Sequence, residues 1–190
     1  MREMDKARRE LEEMISGLYT GEKKLLVFGE GRQNARVMLV GEAPGEKESI
    51  EGRPFGGKAG QNLNAFLELS GLSREEMYVT NVVKFRPTKV SATGRASNRP
   101  PTKEEIRLFL PFLLKEIDSV APEWVVTLGN VPLQALLSSR DTVGQLHGQA
   151  ISWRERTLYP MYHPASLIYN PSLRDTYRED VLRLSELLKA

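Results

Sequence analysis

Three short apolar runs constrain this chain more than any other feature. Arg36-Val37-Met38-Leu39-Val40 ends in Gly41, Tyr78-Val79-Thr80-Asn81-Val82-Val83 carries one amide, and Trp124-Val125-Val126-Thr127-Leu128 runs into Gly129-Asn130. Runs that are short, continuous and rich in valine have the look of strands buried on both faces. Stretches with helical spacing lie between them. Residues 2–18 put Met4, Ala7, Leu11, Met14, Ile15 and Leu18 on one helical face. Residues 58–70 read as a helix closed by Gly71, and Thr102-Lys103-Glu104-Glu105 opens another with a capping-box pattern that continues to Ser119. A helix is expected from about Pro132 to Leu137, a hairpin or strand pair from Ala150 to Tyr162, and an amphipathic helix from about Leu173 to Leu188. Residues 86–101 read as a long basic loop without periodicity.

Strands that alternate with helices predict an α/β fold, a parallel sheet with helices on both faces. A length of 190 residues fits one domain covering the whole sequence. Ligands in such folds bind at the carboxyl ends of the strands. The polar residues after Val40, around Asn81 and after Tyr162 are therefore expected to converge.

Composition narrows the chemistry. Hydrophobic residues make up 40% and charged residues 27%, which is ordinary for a globular chain. No apolar run approaches the roughly 20 residues needed to span a bilayer. Met1 to Glu13 mix acid and base without the apolar stretch of a secretory signal, so a cytoplasmic location is expected. A net charge of +2 is too small to imply nucleic acid by itself. The absence of cysteine excludes disulfides, thiolate-bound zinc and cysteine-ligated iron–sulfur clusters, and two histidines, His147 and His163, exclude a histidine-rich metal site. No metal or cofactor is expected, which leaves carboxylates, amides, hydroxyls and two imidazoles.

Four segments carry a pattern beyond fold class. They are Gly41-Glu42-Ala43-Pro44-Gly45-Glu46 with Glu48 beyond, Gly52-Arg53-Pro54-Phe55-Gly56-Gly57-Lys58-Ala59-Gly60-Gln61, Thr80-Asn81, and His163-Pro164-Ala165-Ser166-Leu167. Together they resemble the uracil-DNA glycosylase superfamily, in particular its thermostable family 4 branch, over most of the chain from Phe28 to Leu188.

The resemblance implies a three-layer α/β/α fold with a central four-stranded parallel sheet. It also implies hydrolysis of the bond between uracil and deoxyribose in DNA, by a monomer that flips the base into a pocket. By it, His163 donates to the uracil oxygen that gains charge as the base departs. Asn81 presents a donor and an acceptor side by side to one edge of the base. Phe55 stacks on the base, with Gly41 and Ala43 beside it. Glu42 and Glu48 are both candidates to stabilise the cation-like sugar and orient water, and the residues alone do not separate them. Leu167 resembles the apolar wedge that enters the duplex, although packing inside the fold would suit it nearly as well. Gly45, with Gly60, Gly129 and Ala165, is placed to bring backbone amides near phosphates, and Ser166 joins them. Lys84, Arg86 and Arg99, with Lys89 and Arg95, are expected to form a DNA-facing basic patch.

The sequence departs from that branch in one respect. Family 4 proteins hold a four-iron–four-sulfur cluster through four cysteines, and here Phe85 and Phe109 stand where two of them are expected. The early segment offers Gly17, Leu18 and Tyr19 and no thiol. Replacing ligands with large apolar side chains fills the volume instead, so Phe85, Phe109 and either Tyr19 or Leu18 are expected to pack together. Two other readings remain: a non-catalytic nucleic-acid binder that keeps the fold, and a nucleotide enzyme using the Gly-rich loop. The second lacks the Lys-Ser/Thr ending of a phosphate loop.

Overall fold

The computed structural model describes the backbone of residues 2–190 and the side chains from Glu3 onward. Helix α1 (Arg2–Leu18) precedes a two-residue edge strand β1 (Glu30–Gly31) and the first central strand β2 (Val37–Gly41). The short α2 (Glu46–Glu51) and α3 (Lys58–Leu69) lead through a 3-10 turn (Arg74–Glu76) to β3 (Tyr78–Asn81). A small hairpin, β4 (Thr88–Val90) and β5 (Ala96–Asn98), comes before α4 (Lys103–Val120), β6 (Trp124–Leu128), α5 (Asn130–Leu137) and α6 (Val143–Leu146). Then come β7 (Ile151–Trp153), β8 (Arg156–Met161), α7 (Ser166–Tyr169) and α8 (Arg174–Lys189).

The main sheet has the order β1-β3-β2-β6-β8-β7. Its four inner strands are parallel, as expected, and the outermost β1 and β7 run antiparallel to their neighbours. Alternation along the buried strands separates two cores. Met38, Val40 and Val125 face α1, α4 and α5, whereas Val37, Leu39 and Val126 face α3 and α8. The continuous apolar runs follow from this, because each strand must satisfy a core on both faces. Among the described residues, no helix is long and apolar enough to cross a membrane.

Helix starts agree with the sequence signals. Thr102 accepts from the amide of Glu105, and the Glu105 carboxylate accepts from the amide of Thr102, so the capping box of α4 is complete. The segment read as a featureless loop is different: it contains the β4–β5 hairpin. Its strands are three residues each and mostly exposed, and neither feature leaves a hydrophobic period.

The expected packing of Phe85 with Phe109 and Tyr19 is observed. The Phe85 ring lies edge-on to Tyr19 at 5.3 Å and to Phe109 at 5.4 Å, while Leu18 is exposed. The ammonium of Lys24 stands 5.1 Å from both the Tyr19 and Phe85 ring centres. Aromatic side chains of this kind offer a four-iron–four-sulfur cluster no ligand.

Candidate active site

The four parallel strands deliver their carboxyl ends to one edge of the sheet. There Gly41 ends β2 beside Asn81, which ends β3, and Leu128 of β6 pairs with Met161 of β8. Just beyond these ends, the amides of Val82 and Val83 donate to the carbonyls of Gly41 and Glu42. The first and third sequence segments are thereby locked together. His163 follows β8, against Gly129 at the end of β6, where a Cβ would come within 3.3 Å of the His163 Cβ. A cleft of about 410 Å³ opens here, and Glu42, Glu48, Phe55, Asn81 and His163 all line it. Ala43, Gly45 and Ala165 also border it.

Gly41 forms the close floor of this arrangement. A Cβ there would lie 2.4 Å from Oδ1 of Asn81 and 2.6 Å from the tip of the Phe55 ring, so only glycine lets the amide and the ring meet. Phe55 is anchored in the core beside α3 and α8 and adopts a left-handed backbone, with φ 54°. Its ring lies 5.7 Å from the His163 imidazole, with 30° between the planes.

Asn81 is only 3% exposed, yet its carboxamide makes no hydrogen bond within the described protein. Fully buried side-chain atoms without a partner lie elsewhere, on Arg8, Thr127 and Tyr177, whereas the Asn81 carboxamide lines the cleft and is open to a ligand there. The protonation of His163 is fixed by its surroundings. Nδ1 accepts from the Ala165 amide at 3.1 Å, which leaves the hydrogen on Nε2. Burial pushes this imidazole down to about 4, against a smaller opposing pull from Glu48. His163 is therefore a neutral donor.

The two glutamates, inseparable by sequence, now differ. Glu48 is tied: its Oε1 accepts from the Gly57 amide at 2.9 Å, at the start of α3, where a helix favours negative charge. The Glu42 carboxylate has no hydrogen-bond partner among the described residues, and burial raises its pKa above the ordinary range. Glu42 is the free carboxylate and Glu48 the one holding the loop.

Two expected DNA contacts, Lys84 and Leu167, are corrected. Lys84 is 0% exposed: its Nζ donates to Glu116 at 2.7 Å, to Thr80 Oγ1 at 2.6 Å and to the Asn81 carbonyl at 2.7 Å. An ammonium with all three donors satisfied in the core cannot meet a phosphate. Leu167 is 2% exposed and packs in the core with Phe55, so it is not a wedge. Arg99 spends its guanidinium on both oxygens of Glu105 and on the Thr88 carbonyl, bracing the hairpin against α4.

Arg86 is partly engaged, donating to Asn98 at 2.6 Å and pairing with Glu46 at 3.4 Å. Lys89 and Arg95 stand exposed on and beside the hairpin strands, and Ser166 begins α7 with a half-buried side chain. Gly60 has a different use from the one expected. A Cβ there would strike the Phe55 carbonyl, so this glycine admits the aromatic loop onto α3. Sequence reasoning missed Tyr169, which is 85% exposed at the rim of the cleft, because nothing in the four segments singles it out.

Comparisons with known proteins identify the family. Type-4 uracil-DNA glycosylase of Saccharolobus solfataricus is 37% identical over 177 residues, covering 88% of this chain and 78% of that protein. The protein of the same name from Sulfurisphaera tokodaii is 39% identical over 170 residues, covering 85% of this chain and 74% of its own length. The crystal structure of wild-type Pedobacter heparinus SMUG2 shares the fold, with a TM-score of 0.57 at 13% identity over 82% of this chain and 76% of that one. Residues 28–185 match the family described as the uracil DNA glycosylase superfamily, and the chain belongs to that superfamily.

Proposed function

We propose that this protein hydrolyses the N-glycosidic bond of uracil in DNA after the base has turned out of the strand into the cleft. The observation that carries the reading is the Asn81 carboxamide, which has no protein partner and lines the cleft beside Phe55 and the Nε2–H of His163. An amide offers a donor and an acceptor side by side, which suits one edge of uracil and mismatches cytosine. Phe55 supplies a ring for stacking. Several relatives carrying the name uracil-DNA glycosylase support the same reading.

The chemistry follows from the positions of three groups. As the bond between sugar C1′ and the base nitrogen breaks, its electron pair leaves with the base. Negative charge then spreads to the carbonyl oxygen, which Nε2–H of His163 stabilises without giving up its proton. The sugar becomes cation-like, and the Glu42 carboxylate stabilises it and orients a water. Water adds to C1′ and passes its proton to Glu42. Glu48 acts by holding the Gly57 end of α3.

The DNA-facing surface in this reading comprises Lys89 and Arg95 on the hairpin, Gly45 and the exposed ring of Tyr169 at the cleft mouth, and Arg86 and Ser166. A single domain acting as a monomer, in a cytoplasmic setting, completes the proposal. The test is release of free uracil from single- and double-stranded oligonucleotides, with His163→Ala and Asn81→Ala as controls. Binding of uracil-containing DNA with no release at high protein concentration would leave a non-catalytic binder in its place.

A further inference from the structure

We infer that Arg74 is a positioning residue for Phe55, and that it sets how tightly the cleft holds a base. The inference rests on the reading of Phe55 as the stacking ring. Phe55 sits at φ 54°, a conformation uncommon for a residue with a side chain. Something must hold its peptide there, and the structure supplies a fork. Nη1 of Arg74 donates to the Phe55 carbonyl at 3.0 Å, and Nη2 donates to the Pro54 carbonyl at 2.7 Å. Nη1 also reaches Oδ1 of Asn64 on α3 at 3.3 Å.

The clamp extends to the sheet edge. Nη2 of Arg74 lies 3.9 Å from Glu30 on β1, and the same carboxylate takes two hydrogen bonds at 2.9 Å from Arg53, within the Phe55 loop. On its other side the Phe55 carbonyl rests against the backbone of Gly60. The turn is therefore gripped between α3 and one guanidinium. A planar fork suits two adjacent carbonyls, and an ammonium cannot bond both in the same plane.

Arg74 opens the 3-10 turn that leads directly into β3, the strand that ends in Asn81. One short stretch of chain thus carries the amide that faces the base and fixes the ring that stacks on it. A second cleft of about 680 Å³, lined by Glu30, Arg53, Phe55 and Arg74, lies behind the loop. Loss of the guanidinium therefore leaves the loop room to relax into that cleft.

The test is a double-mutant cycle read by uracil release and by nuclear magnetic resonance. Arg74→Met and Arg74→Lys are made alone and with Phe55→Ala. Alone, Arg74→Met is expected to lower kcat/KM about tenfold through KM, because a displaced ring stacks less well on the base. Arg74→Lys is expected to lose part of this. In the Phe55→Ala background neither substitution should cost more than twofold, because its effect passes through the ring.

The Phe55 ring current should also shift at the Gly41 amide and the His163 ring protons in Arg74→Lys. Should Arg74→Met not fold, the lysine variant carries both readouts. Equal losses with and without Phe55, or unchanged KM and unchanged shifts, would overturn the inference. If the unaltered protein releases no uracil while the shifts still move, the glycosylase reading fails and the clamp stands.

Discussion

The backbone amide of Ala165 donates to Nδ1 of His163 at 3.1 Å, and this bond decides what the histidine can do. It obliges Nδ1 to be an acceptor, so the ring is neutral with its hydrogen on Nε2. A positioned donor aimed at developing negative charge contributes about 10²–10³ in rate. His163→Ala is expected to lower kcat by that order with little change in folding. The imidazole is pushed down to about 4 by burial, so no loss of activity should follow its ordinary pKa near 6.5. The unfolded chain takes up a proton near 6.5 that the folded one refuses until about 4, so this group makes the fold less stable as pH falls between those values. Titration of the His163 ring protons checks it; a midpoint near 6.5 would sink the neutral-donor assignment.

Glu42 sets the acid side of the pH profile. Burial raises its carboxyl above 4.5, so it gains a proton, and activity is lost, at higher pH than an ordinary glutamate would require. For the same reason protonation favours the folded state as pH falls through the raised value. Glu42→Gln should remove the acid limb and most of the activity. Glu48→Gln should retain the limb and lower the melting temperature instead, since it weakens the bond to Gly57. Rate profiles of the two variants separate these roles, and an unchanged acid limb in Glu42→Gln refutes the assignment.

Lys84 works inside the protein. With Glu116 it forms a buried pair whose carboxylate also takes hydrogen bonds from Tyr78 and Thr80, each at 2.9 Å. Lys84→Met strands Glu116 without a counter-charge and should cost about 3–5 kcal/mol of stability. Lys84→Met with Glu116→Leu should recover part of it, as read by thermal unfolding. Loss of a phosphate-binding lysine would instead reduce the salt dependence of DNA binding by about one charge. A salt slope that drops in the folded double variant would restore Lys84 to the DNA surface.

The sequence made the strands legible because each buried strand serves two cores, so Val37 to Val40 and Trp124 to Leu128 read as unbroken apolar runs. The candidate site was legible at the strand ends, where Gly41, Asn81 and His163 come together as expected. Polar partners were not legible. Lys84 looks like a surface charge until Glu116, 32 positions away, is seen beneath it. Arg99 likewise belongs to Glu105. Leu167 hides for another reason: α7 is four residues long, too short to show which face is buried.

That same short helix supplies the last expectation. With Leu167 turned into the core, the side chains it exposes are Ile168 and Tyr169, and the Tyr169 ring borders the cleft that holds His163 and Phe55. An exposed ring beside a base pocket has little to bury within the protein and suits stacking on a neighbouring base of the strand. Tyr169→Ala should weaken binding to single-stranded uracil-containing DNA by about 5–150-fold, the equivalent of roughly 1–3 kcal/mol for one stacked base. Its melting temperature should not change, since the ring buries almost nothing. Leu167→Ala should do the reverse, costing about 2–5 kcal/mol of stability as a core deletion. Fluorescence anisotropy and thermal melts distinguish the two variants. Full DNA affinity in Tyr169→Ala would remove the ring from the DNA surface.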